Sequence, residues 1–118
     1  YCVATGKVLL AWRDEPAAVP SLLSVRPLHA FTPSTAPDTA ALARELERVR
    51  RQGFAVNRGE WRASVWGMAS PLRGPGGRVI AALGISGPAE RIRKKGVRQL
   101  ARLVVDAAEL ASGRLAGQ

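Results

Sequence analysis

Two runs of alternating and apolar residues, 64–72 and 78–86, flank Gly74-Pro75-Gly76-Gly77, and this pattern dominates the chain. Proline supplies a φ near −65° and glycine accepts a positive φ, so the four residues suit a type II turn and the two runs form a β-hairpin. A shorter strand over 54–57 precedes them, separated by the aromatic-rich connection Glu60-Trp61-Arg62. In the second run Val79, Leu83 and Ile85 fall on one face, while Ile80, Ala82, Gly84 and Ser86 shrink along the other and end in a hydroxyl. A strand apolar on both faces is expected to be central and covered on both sides. Small residues on one face either let a helix sit close to the sheet or leave room for a ligand.

Helical periodicity accounts for the rest. Leu42, Leu46 and Val49 recur at i, i+4 and i+7 between Asp38, a capping residue, and Gly53, a stop, which predicts an amphipathic helix lying on the sheet. Thr5 precedes the apolar segment Val8-Leu9-Leu10-Ala11, so a helix of two or three turns is expected to start there with Thr5 as its cap. The last helix spans about 96–112, with Val97, Leu100, Ala101, Val104, Ala107, Ala108 and Ala111 as its apolar stripe. Five prolines break 13–37 into mostly loop, with a possible helical turn over 21–24. The order helix, loop, helix, strand, hairpin, helix describes an α+β domain with an antiparallel sheet flanked by helices.

Length and composition narrow the class. The 118 residues suit one domain, and 47% hydrophobic residues without an apolar run near the roughly 18 of a membrane span point to a globular, water-soluble chain. The chain enters an element directly at Tyr1 without an initiator Met, as expected of a fragment of a longer protein. Cys2 and His29 are the only residues of their kinds, so the chain assembles neither a disulfide framework nor a Cys/His metal site; a reducing cytoplasm is the expected compartment. Eighteen Lys and Arg against nine Asp and Glu give a net charge of +9, and Arg91, Arg93, Lys94, Lys95, Arg98 and Arg102 concentrate it beside the single acid Glu90. Such a cluster permits a nucleic acid or anionic surface as partner, and it also fits a solvated helix entrance.

Catalytic chemistry finds no footing. One histidine and one cysteine, neither with an identifiable partner, exclude the usual nucleophile constellations, so no catalytic residue and no cofactor is assigned. Gly6-Lys7 is not a phosphate loop, because Val8 stands where Ser or Thr is required. What remains is a small-residue sheet face, a helix start whose free N–H groups favour negative charge, and Asn57 and Ser86 as polar groups able to orient a small molecule.

The order of these motifs resembles a known family. Ala4-Thr5-Gly6-Lys7-Val8-Leu9-Leu10-Ala11, Phe31-Thr32-Pro33-Ser34-Thr35, Leu42-Ala43-Arg44-Glu45-Leu46 and Gln52-Gly53-Phe54-Ala55 look like successive signatures of the effector-binding domain of IclR-type bacterial transcription regulators. Glu60, Met68-Ala69-Ser70-Pro71, Gly76-Gly77-Arg78-Val79 and Ser86-Gly87-Pro88 continue the match over nearly the whole chain. The resemblance implies a GAF- or profilin-like fold, a small-molecule effector, assembly into homodimers or homotetramers, and no membrane. DNA would be read only by a winged helix-turn-helix domain upstream, outside these residues.

Carried over position by position, the resemblance implies ligand contacts at Ala4, Thr5, Asn57, Gly67, Gly84 and Ser86. The family often places an acid where Asn57 stands, a cysteine where Gly67 stands and serines where Gly84 and Ser86 stand. Only Ser86 is unchanged, which implies a roomier, less polar pocket. A larger carboxylic or aromatic acid is then expected in place of a small 2-oxo acid. The competing expectation is a basic module for nucleic acid or anionic surfaces that has no ligand pocket.

Overall fold

The computed structural model describes residues 2–12, 31–36 and 38–116; the possible turn at 21–24 and the lone His29 lie outside them. Strands β1 (Ala55–Arg58), β2 (Val65–Arg73) and β3 (Val79–Pro88) form an antiparallel sheet in the order β1-β2-β3. Helices α1 (Ala4–Ala11) and α2 (Thr39–Gln52) cover one face, and α3 (Ala89–Lys95) and α4 (Val97–Ala116) belong to the other side.

The alternation of the strands sorts the core into two clusters. Ala55 and Ala69, paired across β1 and β2, pack with Ala4, Val8, Ala11, Leu42, Leu46 and Val49 on the α1–α2 side. Val56 and Met68, the next pair, pack with Ile92, Ala101 and Val104 on the α3–α4 side. Each face thus has its own apolar layer, as the two-fold period of a strand requires.

The α2 boundaries match the sequence expectation. Asp38 is its N-cap and accepts a 2.7 Å bond from the Ala41 N–H, while Gly53 at φ 86° ends it and donates to the Val49 carbonyl at 2.9 Å. Replacing Asp38 with alanine is expected to cost about 1 kcal/mol and with asparagine much less. Chemical denaturation checks this as a lower midpoint at unchanged slope; equal midpoints for the two variants would remove the cap from the account. Two α2 arginines contact their surroundings: Arg50 donates to the Ala11 carbonyl at 2.8 Å and Arg48 pairs with Glu45 at 3.6 Å.

The hairpin turn is also as expected. Gly76 sits at φ 79°, ψ 3°, the second central position of a type II turn, and the Gly77 N–H donates to the Gly74 carbonyl at 3.1 Å.

Four expectations are corrected. Among the described residues β3 pairs only with β2 and is an edge strand, with Ile80 56% and Ile85 43% exposed, whereas β2 occupies the centre. An apolar run does not distinguish a strand paired on two sides from one paired on one, and in a meander the middle segment takes the middle place. Thr5 is not a cap: Val3 at φ −124°, ψ 151° holds that position without a side-chain bond, and Thr5 lies inside α1. The basic stretch before Gly96 is a separate short helix, α3, broken from α4 where Gly96 takes φ 97°. Finally, Ala107 of the expected stripe is exposed; Ala101, Val104 and Ala108 carry the burial.

Candidate functional site

Strand register puts the predicted polar residues in line. Asn57 pairs with Gly67 and Gly67 with Ser86, so these three occupy one rung across all three strands; Ala55, Ala69 and Gly84 form the adjacent rung on the same face. That face is the α1 face, because a Cβ built on Gly84 would lie 2.9 Å from Thr5 Cγ2. Ala4, Thr5, Asn57, Gly67, Gly84 and Ser86 all line a single open cavity of about 290 Å³ between the start of α1 and the rung. Val3, Trp61, Val65, Met68 and Ile85 complete its wall, to which no charged residue contributes among the described residues.

The polar groups facing this space are predominantly donors. With no side-chain cap, and with the Lys7 N–H as the first to bond within α1, to the Val3 carbonyl at 3.0 Å, the N–H groups of Ala4, Thr5 and Gly6 have no intrahelical acceptor. Asn57 is 4% exposed, and its Oδ1 accepts from the Glu60 N–H at 2.8 Å. That bond fixes which end of the amide is oxygen and leaves the Nδ2 donors at the cavity wall. The Ser86 and Thr5 hydroxyls add two rotatable donors. Helix dipole and amide together therefore favour an anionic oxygen.

The two glycines are tighter than the sequence implied. A Cβ on Gly67 would stand 2.8 Å from the Ile85 carbonyl oxygen, and one on Gly84 would meet Thr5, the Met68 carbonyl at 3.1 Å and Ala69 Cβ at 3.3 Å. Gly84 thus admits α1 close to the sheet and at the same time borders the cavity.

Sequence reasoning missed two residues. Lys7 is 2% exposed, yet its ammonium reaches Glu60 Oε1 at 2.6 Å and Oε2 at 2.8 Å, the Val56 carbonyl at 2.9 Å and Glu45 Oε1 at 3.4 Å. The signal was available: Lys7 shares the buried stripe of α1 with Ala4, Val8 and Ala11, and a charge there requires buried partners. Trp61 reads in the sequence only as part of the connection Glu60-Trp61-Arg62. It stands instead at the cavity with the Arg62 guanidinium over its ring, 4.6 Å from the centroid. Its loop is held in place because Thr32 Oγ1 donates to the Gly59 carbonyl and Thr35 Oγ1 to the Glu60 carbonyl. Trp12 and Trp66 lie elsewhere, under Arg73 and Arg93.

The basic cluster forms a different surface. Arg91, Arg93, Lys94, Lys95, Arg98 and Arg102 are all exposed on α3 and the first turns of α4, away from the residues lining the cavity.

Known proteins match this arrangement along nearly its full length. The family model of the bacterial transcriptional regulator IclR C-terminal region matches residues 1–112. The transcriptional repressor AllR of Salmonella typhi is 36% identical over 109 residues, covering 92% of this chain and 40% of that protein. This chain therefore spans well under half the length of such curated relatives. The solved C-terminal domain of the Escherichia coli regulator KdgR superposes with a TM-score of 0.85 at 33% identity, over 98% of this chain and 70% of that one. A double mutant of the PobR inducer-binding domain from Acinetobacter, in complex with 3-hydroxybenzoic acid, superposes with a TM-score of 0.84 at 25% identity, over 94% of this chain and 63% of that one. The α+β fold is the GAF/profilin-like fold of these domains. With its two-sided sheet, its family match and its likeness to regulators rather than enzymes, the chain belongs to the C-terminal domain family of IclR-type bacterial transcriptional regulators.

Proposed function

We propose that this chain is the effector-sensing domain of an IclR-type regulator, and that a carboxylic or aromatic acid larger than a 2-oxo acid seats between the N-terminus of α1 and the rung Asn57, Gly67 and Ser86. The observation that carries this is a cavity lined by donors and apolar groups with no charged residue in its wall. The carboxylate would accept from the N–H groups of Ala4 and Thr5, from Asn57 Nδ2 and from the Ser86 hydroxyl, while Val3, Val65 and Trp61 border its apolar part. Where a carboxylate could only accept, the Asn57 amide offers the ligand an N–H donor. The PobR complex with a hydroxybenzoic acid supports this chemistry.

Signal transmission follows from differential affinity. In a homodimer or homotetramer, a ligand that prefers one arrangement of subunits shifts the population toward it by no more than its preference. The spacing of DNA-reading domains outside these 118 residues would change with that arrangement. Such a regulator works in the bacterial cytoplasm; no helix among the described residues is long and apolar enough to cross a membrane.

A thermal-shift panel of carboxylic and aromatic acids tests the proposal. A true ligand at one hundred times its Kd adds about 2.7 kcal/mol, which for a domain of this size raises Tm by roughly 10 °C. The shift is expected to vanish in Ser86→Leu, whose side chain fills the rung. No stabilising acid at millimolar concentration, or an undiminished shift in Ser86→Leu, would remove the cavity from consideration as the effector site.

A further inference from the structure

We propose that Trp61 sets the class of ligand, by forming the wall against which a planar aromatic carboxylic acid stacks while its carboxylate meets α1 and Asn57. The inference rests on the effector-site reading of this cavity and deepens it. Three features of the site converge on Trp61. At about 290 Å³ the cavity lies at the small end of the range for small-molecule sites, roughly 300–1,000 Å³, and so suits a single-ring acid better than a fused or acyl-chain ligand. Its donors gather on one side, at the α1 N-terminus and at the 96%-buried Asn57 with its free amide nitrogen, which orients a carboxylate and sends the rest of the molecule toward the apolar wall.

That wall includes the Trp61 indole, 40% exposed, on a loop whose preceding backbone is anchored. Residues 59 and 60 are tied by Thr32, Thr35 and Asn57, and the Arg62 guanidinium occupies one face of the ring, holding it and adding positive potential beside the cavity. An aromatic wall favours a flat π-system over a puckered aliphatic ring of the same size, and offset stacking contributes beyond the buried area. The expected preference is about tenfold in Kd.

Isothermal titration calorimetry with 3-hydroxybenzoate, benzoate and cyclohexanecarboxylate decides the matter. The chain is expected to bind the two benzoates about tenfold more tightly than cyclohexanecarboxylate, and Trp61→Met to reduce that ratio to within twofold without weakening cyclohexanecarboxylate by a similar factor. Trp61→Phe should retain most of the preference. In the unaltered chain, the indole N–H signal of Trp61 in a ¹⁵N-labelled sample is expected to move on adding benzoate and far less with cyclohexanecarboxylate, which tests the contact even if Trp61→Met does not fold. Equal affinities for flat and puckered acids, an unchanged ratio in Trp61→Met, or an unmoved indole signal would overturn the role of Trp61 while leaving the effector site standing. Failure of all three acids to bind would overturn both.

Discussion

Replacing Lys7 with alanine is expected to lower the unfolding free energy by about 3 kcal/mol, as breaking one side of a buried ion pair usually does. Its ammonium, 3% exposed, is surrounded by both oxygens of Glu60, one of Glu45 and the Val56 carbonyl. Removing it leaves the Glu60 carboxylate, 12% exposed, without its cation, and the buried Val56 carbonyl without that donor. Against a typical domain stability of roughly 5–15 kcal/mol this is a large fraction. A denaturant-melt double-mutant cycle with Glu60→Gln isolates the pair: Lys7→Ala/Glu60→Gln should recover part of the loss, with a coupling of about 1–3 kcal/mol. A single-variant loss below about 1 kcal/mol would show that the network contributes only what an exposed pair does.

The network also reaches the cavity. Glu60 donates its N–H to Asn57 Oδ1, so the residue that ion-pairs with Lys7 is the one that orients the amide. Lys7→Ala is therefore expected to weaken acid binding without touching a cavity-lining residue.

Gly84→Ala is expected to cost about 2 kcal/mol, in the range for overpacking a tight site. The new methyl would stand 2.9 Å from Thr5 Cγ2, 3.1 Å from the Met68 carbonyl oxygen and 3.3 Å from Ala69 Cβ. Thr5 can yield by moving α1 outward; the Met68 carbonyl, fixed in the central strand, cannot. A lifted α1 carries its N–H groups away from the rung, so ligand-dependent stabilisation should fall with the stability. Gly87→Ala supplies the control on the same strand, because its methyl would meet only Ile92 Cδ1 at 3.9 Å. Thermal melts of the two variants with and without acid check both statements. If Gly84→Ala were as stable as Gly87→Ala, the close approach of helix and sheet would not depend on glycine.

Much of this fold was legible in local pattern. The stripe Leu42, Leu46 and Val49 with Asp38 and Gly53 at its ends specified α2, and Gly74-Pro75-Gly76-Gly77 specified the hairpin, because capping, helix stops and turns depend on residues a few positions apart. Asn57, Gly84 and Ser86 stood out from the residues as polar groups and a small face, whereas Gly67 entered only through the ordered family motifs; spacing along the chain contains no hint that residues 57, 67 and 86 share a rung. The strand order was misread for the same reason, since Val79 to Ser86 shows which side chains are apolar and not how many strands pair with them.

Some residues spoke only in three dimensions. Lys7 looked like part of a near-miss phosphate loop, and its place in the α1 stripe was overlooked; Glu45 and Glu60, its partners 38 and 53 positions away, lie beyond any local pattern. Trp61 looked like an isolated aromatic until the Gly59 and Glu60 carbonyls, anchored from residues 32 and 35, placed it at the cavity. By itself the sequence determined the three strands, the hairpin turn and α2 with its cap, stop and apolar face, which short-range backbone sterics and periodic burial dictate. The tertiary structure alone decided the strand in the middle, the partner of the buried ammonium and the convergence of donors on one cavity, because register and long-range packing bring together residues that no local period relates.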